Sequence, residues 1–132
     1  MSRDEDRLQI NCVTWFYLQY PKRILMAFPA GFVFGGDATK RAITGKRMKD
    51  MGYRKGTPDI LIPEPMGHYH GLFIEMKTDT GKLSANQKEL IPELEKRGYL
   101  CSVAHSIEDF MICVKTYFSF EHLTKDPLSI KK

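Results

Sequence analysis

Apolar positions along the chain change period several times, and the changes mark its elements. Leu8, Cys12, Trp15 and Phe16, continued by Gln19, recur at spacings of three and four and give one helical stripe. Ser2-Arg3-Asp4-Glu5 ahead of that stripe has the spacing of a capping box, and Pro21 ends the helix. Ile24 to Phe28 predicts a short buried strand, followed by a loop from Pro29 to Gly36. A second helix is expected from an N-cap at Asp37 to Met51, stopped by Gly52, with Ala42, Ile43 and Met51 available for packing. Asp59 to Ile62 and Leu72 to Lys77 read as two strands, joined by a hairpin loop over Pro63 to Gly71. Ser84-Ala85-Asn86-Gln87 is a second capping box, opening a helix that ends at Gly98. Pro92 inside that helix removes a backbone donor and should bend it. Tyr99 to Ala104 predicts another strand, and Ser106 caps a last helix to near Tyr117. The expected order is α-β-α-β-β-α-β-α, an α/β fold with a mixed central sheet flanked by helices.

Composition narrows the class. The chain has 132 residues, 42% hydrophobic, 11% aromatic and 27% charged, which suits one globular domain over 1–132 with a frayed tail from about residue 120. Disordered and low-complexity classes are excluded. Residues 3–7 are all charged, where a secretion signal needs an apolar run. The uncharged stretch from Ile24 is too short to span a bilayer and is broken by Pro29, Gly31, Gly35 and Gly36. Cys12, Cys101 and Cys113 are odd in number and sit among apolar neighbours, so buried free thiols in a reducing cytoplasm are expected. A cytoplasmic protein with no membrane partner is the corresponding expectation.

Charge is informative through its placement. The net charge is +4, yet seven basic residues fall between positions 40 and 55 (Lys40, Arg41, Lys46, Arg47, Lys49, Arg54, Lys55) against one acid, Asp50. A basic segment beside otherwise balanced surfaces is the footprint expected for a phosphate-backbone partner, and Lys82 adds to it. A solvated basic helix is the structural alternative.

The hairpin carries the chemistry. A turn centred near Gly67 places Asp59 opposite the Glu75–Lys77 end of the second strand. Alternation puts Glu75 and Lys77 on one face, with Ile74 and Met76 on the other. Two carboxylates and an ammonium so gathered suit a core poorly unless a divalent cation joins them. Carboxylate oxygens are hard ligands fitted to Mg²⁺ or Mn²⁺, one or two ions, and the Met76 carbonyl offers a further ligand. Asp59 and Glu75 would hold an ion that polarises a phosphodiester and acidifies a bound water. Lys77 would orient or deprotonate that water and offset the charge that develops. No nucleotide cofactor is expected: Gly45-Lys46 is followed by Arg47, and Lys40 stands where a phosphate loop has its first glycine. His68 and His70 lie at the opposite end of the hairpin and read as exposed loop residues.

Gly56-Thr57-Pro58-Asp59, Glu75-Met76-Lys77 and Lys82-Leu83-Ser84-Ala85-Asn86-Gln87 together resemble the PD-(D/E)xK nuclease superfamily. Within it they resemble most the virus-type replication-repair nuclease (VRR-NUC) family, over most of the chain. The resemblance implies a restriction-endonuclease-like core and metal-dependent hydrolysis of DNA, with Asp59 and Glu75 as metal ligands and Lys77 as the catalytic lysine. It further implies a metal-binding acid on the first helix, for which Glu5 is the best match beside Asp4 and Asp6. Gln87 matches a catalytic-site glutamine on the helix after the catalytic strand. Both residues also have structural readings, Glu5 and Gln87 being the N3 residues of their capping boxes. By analogy with stand-alone members, a homodimer acting on branched DNA such as four-way (Holliday) junctions is expected, and a phage origin fits the small domain. The rivals are flap or single-strand cleavage on the same scaffold, and a non-catalytic nucleic-acid-binding module.

Overall fold

The computed structural model describes residues 3–28, 36–78 and 81–124. The capping residue Ser2, most of the glycine loop after Phe28, and the tail beyond residue 124 lie outside them. In chain order the elements are α1 (Arg3–Gln19), β1 (Met26–Ala27), α2 (Ala38–Asp50), β2 (Ile60–Ile62), β3 (Gly71–Met76), α3 (Ala85–Lys96), β4 (Tyr99–Ala104), α4 (Ile107–Phe118) and α5 (Glu121–Thr124). The four strands form one sheet in the order β1-β2-β3-β4. β1–β2 and β2–β3 pair antiparallel, while β3 and β4 pair parallel across the α3 crossover. The mixed sheet flanked by helices is thus the expected architecture, with one further short helix.

Strand alternation divides the sheet into two faces. Ile60, Ile62, Leu72, Ile74 and Met76 join Cys12 and Phe16 of α1 and Phe110, Val114 and Tyr117 of α4 in one buried cluster. Trp15 meets Phe110 edge-on at 6.0 Å and Tyr20 meets Phe118 at 4.7 Å, so α1 and α4 run in the same direction. α4 begins where β4 ends, so the N-terminus of α1 points to the end of the sheet where β3 finishes. The opposite face carries Phe73, whose ring packs on Tyr99 and Phe28, and it is this face that carries Glu75.

Several local expectations change. The Ile24–Phe28 strand shrinks to Met26–Ala27, both exposed at the edge of the sheet; side chains alternate between faces, so Leu25 goes in while Ile24 and Met26 stay out. α2 starts at its Asp37 cap and stops before Gly52 as expected, yet buries nothing: Ile43 and Met51 are exposed, because the helix stands off the core. α3 continues through Pro92 to Lys96. The expected frayed tail begins as a helical turn instead, since Phe120 packs on Tyr69 and Tyr117, and Arg23 clasps Glu64 and Glu121 at 2.9 Å each. Cys12 is buried, whereas Cys101 and Cys113 are only half-buried beside strand and helix; all three are free thiols. His68 and His70 are exposed, as expected for the loop. No described helix is long and apolar enough to cross a membrane.

One contact sets the approach to β2. Gly56 has φ +91°, and a Cβ there would lie 2.6 Å from the Asn86 carbonyl oxygen, so the chain runs flush against the first turn of α3. Gly56→Ala therefore meets both backbone strain and backbone overlap. The expected loss is about 2–4 kcal/mol in chemical denaturation, and a loss within error would mean that this close approach does not exist in solution.

Candidate active site

The hairpin register sets the site. Ile60 pairs with Ile74, Leu61 with Phe73 and Ile62 with Leu72, so one step further Asp59 stands opposite Glu75. Pro58, fully buried, fixes the turn into β2. The Asp59 amide donates to Glu75 Oε1 at 3.3 Å, and the Met76 amide donates to Asp59 Oδ2 at 2.8 Å. Both carboxylates are 4% exposed. Lys77 Nζ lies 3.1 Å from Glu75 Oε2 and closes the cluster, while its backbone amide continues the ladder to the Ala104 carbonyl. The structure thus brings Asp59, Glu75 and Lys77 together.

Their electrostatics are unbalanced. Burial pushes the Asp59 carboxyl up to about 7, and the neighbouring charge of Glu75 adds to the effect; the Met76 N–H and the Lys77 charge oppose it. Two buried acids therefore share one amine. Such a pair is poorly compensated by protein groups alone, and a hard divalent cation is the partner its oxygens fit. Among the described residues no three His, Cys, Asp or Glu side chains stand together at metal-holding distance. Protein ligands would therefore be the two carboxylates and a carbonyl such as that of Met76, leaving positions for water and phosphate oxygens, as Mg²⁺ prefers.

Glu5 is half-buried in the first turn of α1, on the helix that packs against the other sheet face. Asp4 and Asp6 beside it are exposed. One turn on, Gln9 Oε1 is a buried side-chain oxygen without a hydrogen-bond partner, an unused acceptor on the half of α1 that points toward the site. Gln87 is 7% exposed and fills its structural role: its Oε1 accepts from the Ser84 backbone amide at 2.9 Å, and its own backbone N–H donates to Ser84 Oγ at 3.2 Å.

The basic residues divide. Arg41, Lys46, Lys49, Arg54 and Lys55 line one cavity of about 920 Å³ between α2 and α3, whereas Lys40, Arg47 and Lys82 are exposed and outside that lining. Tyr53, absent from the sequence-derived site, sits half-buried in the cavity wall, where burial, with the Asp59 charge adding to it, raises its phenol. Tyr53 lies in Met51-Gly52-Tyr53-Arg54-Lys55-Gly56, which the resemblance covers as the approach to the catalytic strand without giving Tyr53 a role; the fold brings it to the cavity.

Comparison with known proteins bears on the family and the fold. Residues 4–108 match the family model described as the VRR-NUC domain. A solved structure described as a VRR_NUC domain protein superposes with a TM-score of 0.71 at 25% identity, covering 91% of this chain and 92% of that one. No curated protein matches.

The raised Asp59 carboxyl has a testable consequence. The folded protein keeps this proton where the unfolded chain has lost it, so the group's stabilising contribution is present at low pH and is lost as pH rises from 3.8 through about 7. Asparagine at 59 can still accept from the Met76 amide without the buried charge. Asp59→Asn should raise metal-free stability by roughly 1–3 kcal/mol near pH 8 and change it little near pH 4. Urea melts in chelator read this directly, and a variant weaker than wild type near pH 8 would contradict the burial of an unbalanced charge.

Proposed function

The chain belongs to the VRR-NUC family of nuclease-type domains, and from that premise we propose that it is an Mg²⁺- or Mn²⁺-dependent endonuclease hydrolysing DNA phosphodiesters. The observation that carries the reading is the buried Asp59–Glu75 pair with Lys77 Nζ 3.1 Å from Glu75. A non-catalytic binding module has no use for buried, under-compensated acids, which lower its stability without return.

Asp59, Glu75 and the Met76 carbonyl would hold the ion, which when bound supplies Lewis acidity and an acidified water. The protein's own groups do the rest. Asp59 is fixed by the Met76 amide, so its free oxygen keeps one orientation. Lys77, tethered to Glu75, orients the attacking water and offsets the negative charge that builds on the phosphate oxygens. Gln87 has its carbonyl oxygen engaged by Ser84, so its role is to position water or phosphate through its amide nitrogen. Glu5 would act through a bridging water from the end of the sheet. The cations of α2 and the following turn, with Lys82, hold the backbone of the substrate.

Four-way and other branched DNA are the proposed substrates, gripped by a homodimer, because one domain of this size covers few base pairs. With Mg²⁺ or Mn²⁺ the wild-type protein should cleave junction DNA faster than linear duplex, and chelator should abolish cleavage. Lys77→Ala and Glu75→Gln should each lower the single-turnover rate by roughly 10²–10³-fold while gel-shift affinity in chelator survives. Undiminished cleavage by Lys77→Ala would remove the mechanism; light scattering that finds only monomer on junction DNA would remove the dimer.

A further inference from the structure

The cavity between α2 and α3 has features that backbone binding in general does not explain. On α2, its lining positions 41, 42, 45, 46 and 49 follow helical spacing, so they form one face of the helix. That face has a low floor, Ala42 and Gly45, and a cationic rim, Arg41, Lys46 and Lys49. Across it stands α3, and the turn between holds Arg54, Lys55 and Tyr53. Glu89 is the single acid of the lining, so the cavity is complementary to polyanion.

Its shape selects the form of that polyanion. A helix that reads duplex DNA presents its contacts on an outward, convex face that enters a major groove about 12 Å wide. Here Arg41, Lys46 and Lys49 line a concavity shared with α3, Lys46 being also paired with Asp50 at 2.8 Å, while the apolar Ile43 is exposed on α2 and absent from the lining. A duplex is convex and has its base faces hidden in the stack; an unpaired strand is narrow, flexible and exposes both its phosphates and its bases. Space of about 920 Å³ admits a few nucleotides of such a strand. The floor leads toward the carboxylates: Asn86 lines the cavity, Gly56 lies flush on Asn86, and Asp59 follows three residues later. Tyr53 lines the cavity three residues before Gly56, on the segment that leads into β2.

We propose that the cleft between α2 and α3 seats an unpaired nucleic-acid strand, with Tyr53 as the platform on which a base stacks as the strand runs toward Asp59 and Glu75. The cations of the rim and turn follow its phosphates. This rests on the reading that the protein acts on DNA, and it makes branched DNA with an unpaired tail a better ligand than a blunt duplex of equal length.

Fluorescence anisotropy in chelator, where no cleavage occurs, tests it with three labelled probes: a blunt duplex, the same duplex with a short unpaired tail, and the single strand. Wild type should prefer the tailed to the blunt duplex by roughly 5- to 100-fold, the range that stacking one base on an aromatic ring supplies. Tyr53→Ala should bring that preference close to parity, and Tyr53→Phe, which keeps the ring, should retain it. Lys49→Gln with Lys55→Gln should lower the salt slope of single-strand binding by about 0.7 per cation removed. Tailed and blunt probes bound equally by wild type, or a preference that Tyr53→Ala leaves intact, would overturn the cleft assignment. A protein that shows the preference and its loss, yet cleaves nothing with added metal, would keep the cleft and sink the nuclease reading instead.

Discussion

Two buried carboxylates on neighbouring strands, Asp59 and Glu75, with a single amine, Lys77 Nζ, 3.1 Å from Glu75, form the constraint around which this molecule is arranged. Asp59 and Glu75 come from adjacent antiparallel strands, and their meeting is fixed by register: a slip of one residue would turn one of them to the helix-covered face. The cost of holding them there is visible in the Asp59 carboxyl, which burial pushes up to about 7. Natural sequences tolerate a locally unfavourable cluster of this kind where function requires it, and the surrounding structure then over-determines its geometry.

That over-determination is distributed over the fold. The Leu72, Ile74 and Met76 side of β3 is locked into the core beneath α1 and α4, which leaves Glu75 no alternative orientation. On the other side, the glycine at 56 allows the chain to lie against α3, and the capping box at Ser84 holds the start of α3 in place to receive it. β4 is joined to β3 through that same helix, so the crossover that completes the sheet also supplies one wall of the basic cleft. α2, by contrast, contributes nothing to the core. A helix of thirteen residues without a buried face is a marginal structure in water, and its cationic inner side is the part that a polyanion would steady.

The hairpin, the two capped helices α2 and α3, and the convergence of Asp59, Glu75 and Lys77 were legible in the sequence because each depends on local rules: a turn centre, strand alternation, and cap residues at fixed spacing. Features decided by long-range packing were not. The exposure of Ile43 and Met51 depends on where α2 sits relative to the sheet, which periodicity does not reveal. The helical turn after Phe120 depends on the Arg23 clasp to Glu64 and Glu121, residues 41 and 98 positions away. Tyr53 reaches the cavity wall by the same route, through the tertiary placement of its segment. Gln87 shows the converse, since its capping geometry was fully written in the sequence, whereas a catalytic role for it is only what the resemblance implies.

Whether the carboxylate pair binds a divalent ion is read by calorimetric titration of the metal-free protein with Mn²⁺. Near pH 6.5, repeated in two buffers of different ionisation enthalpy, the titration should show saturable binding with release of the proton that Asp59 holds, because carboxylate ligands bind metal deprotonated. Saturable heat and proton release should both be absent from the Asp59→Asn, Glu75→Gln double variant. Equal Mn²⁺ affinity in the wild type and the double variant, or no saturable binding by a folded wild-type protein, would contradict the account.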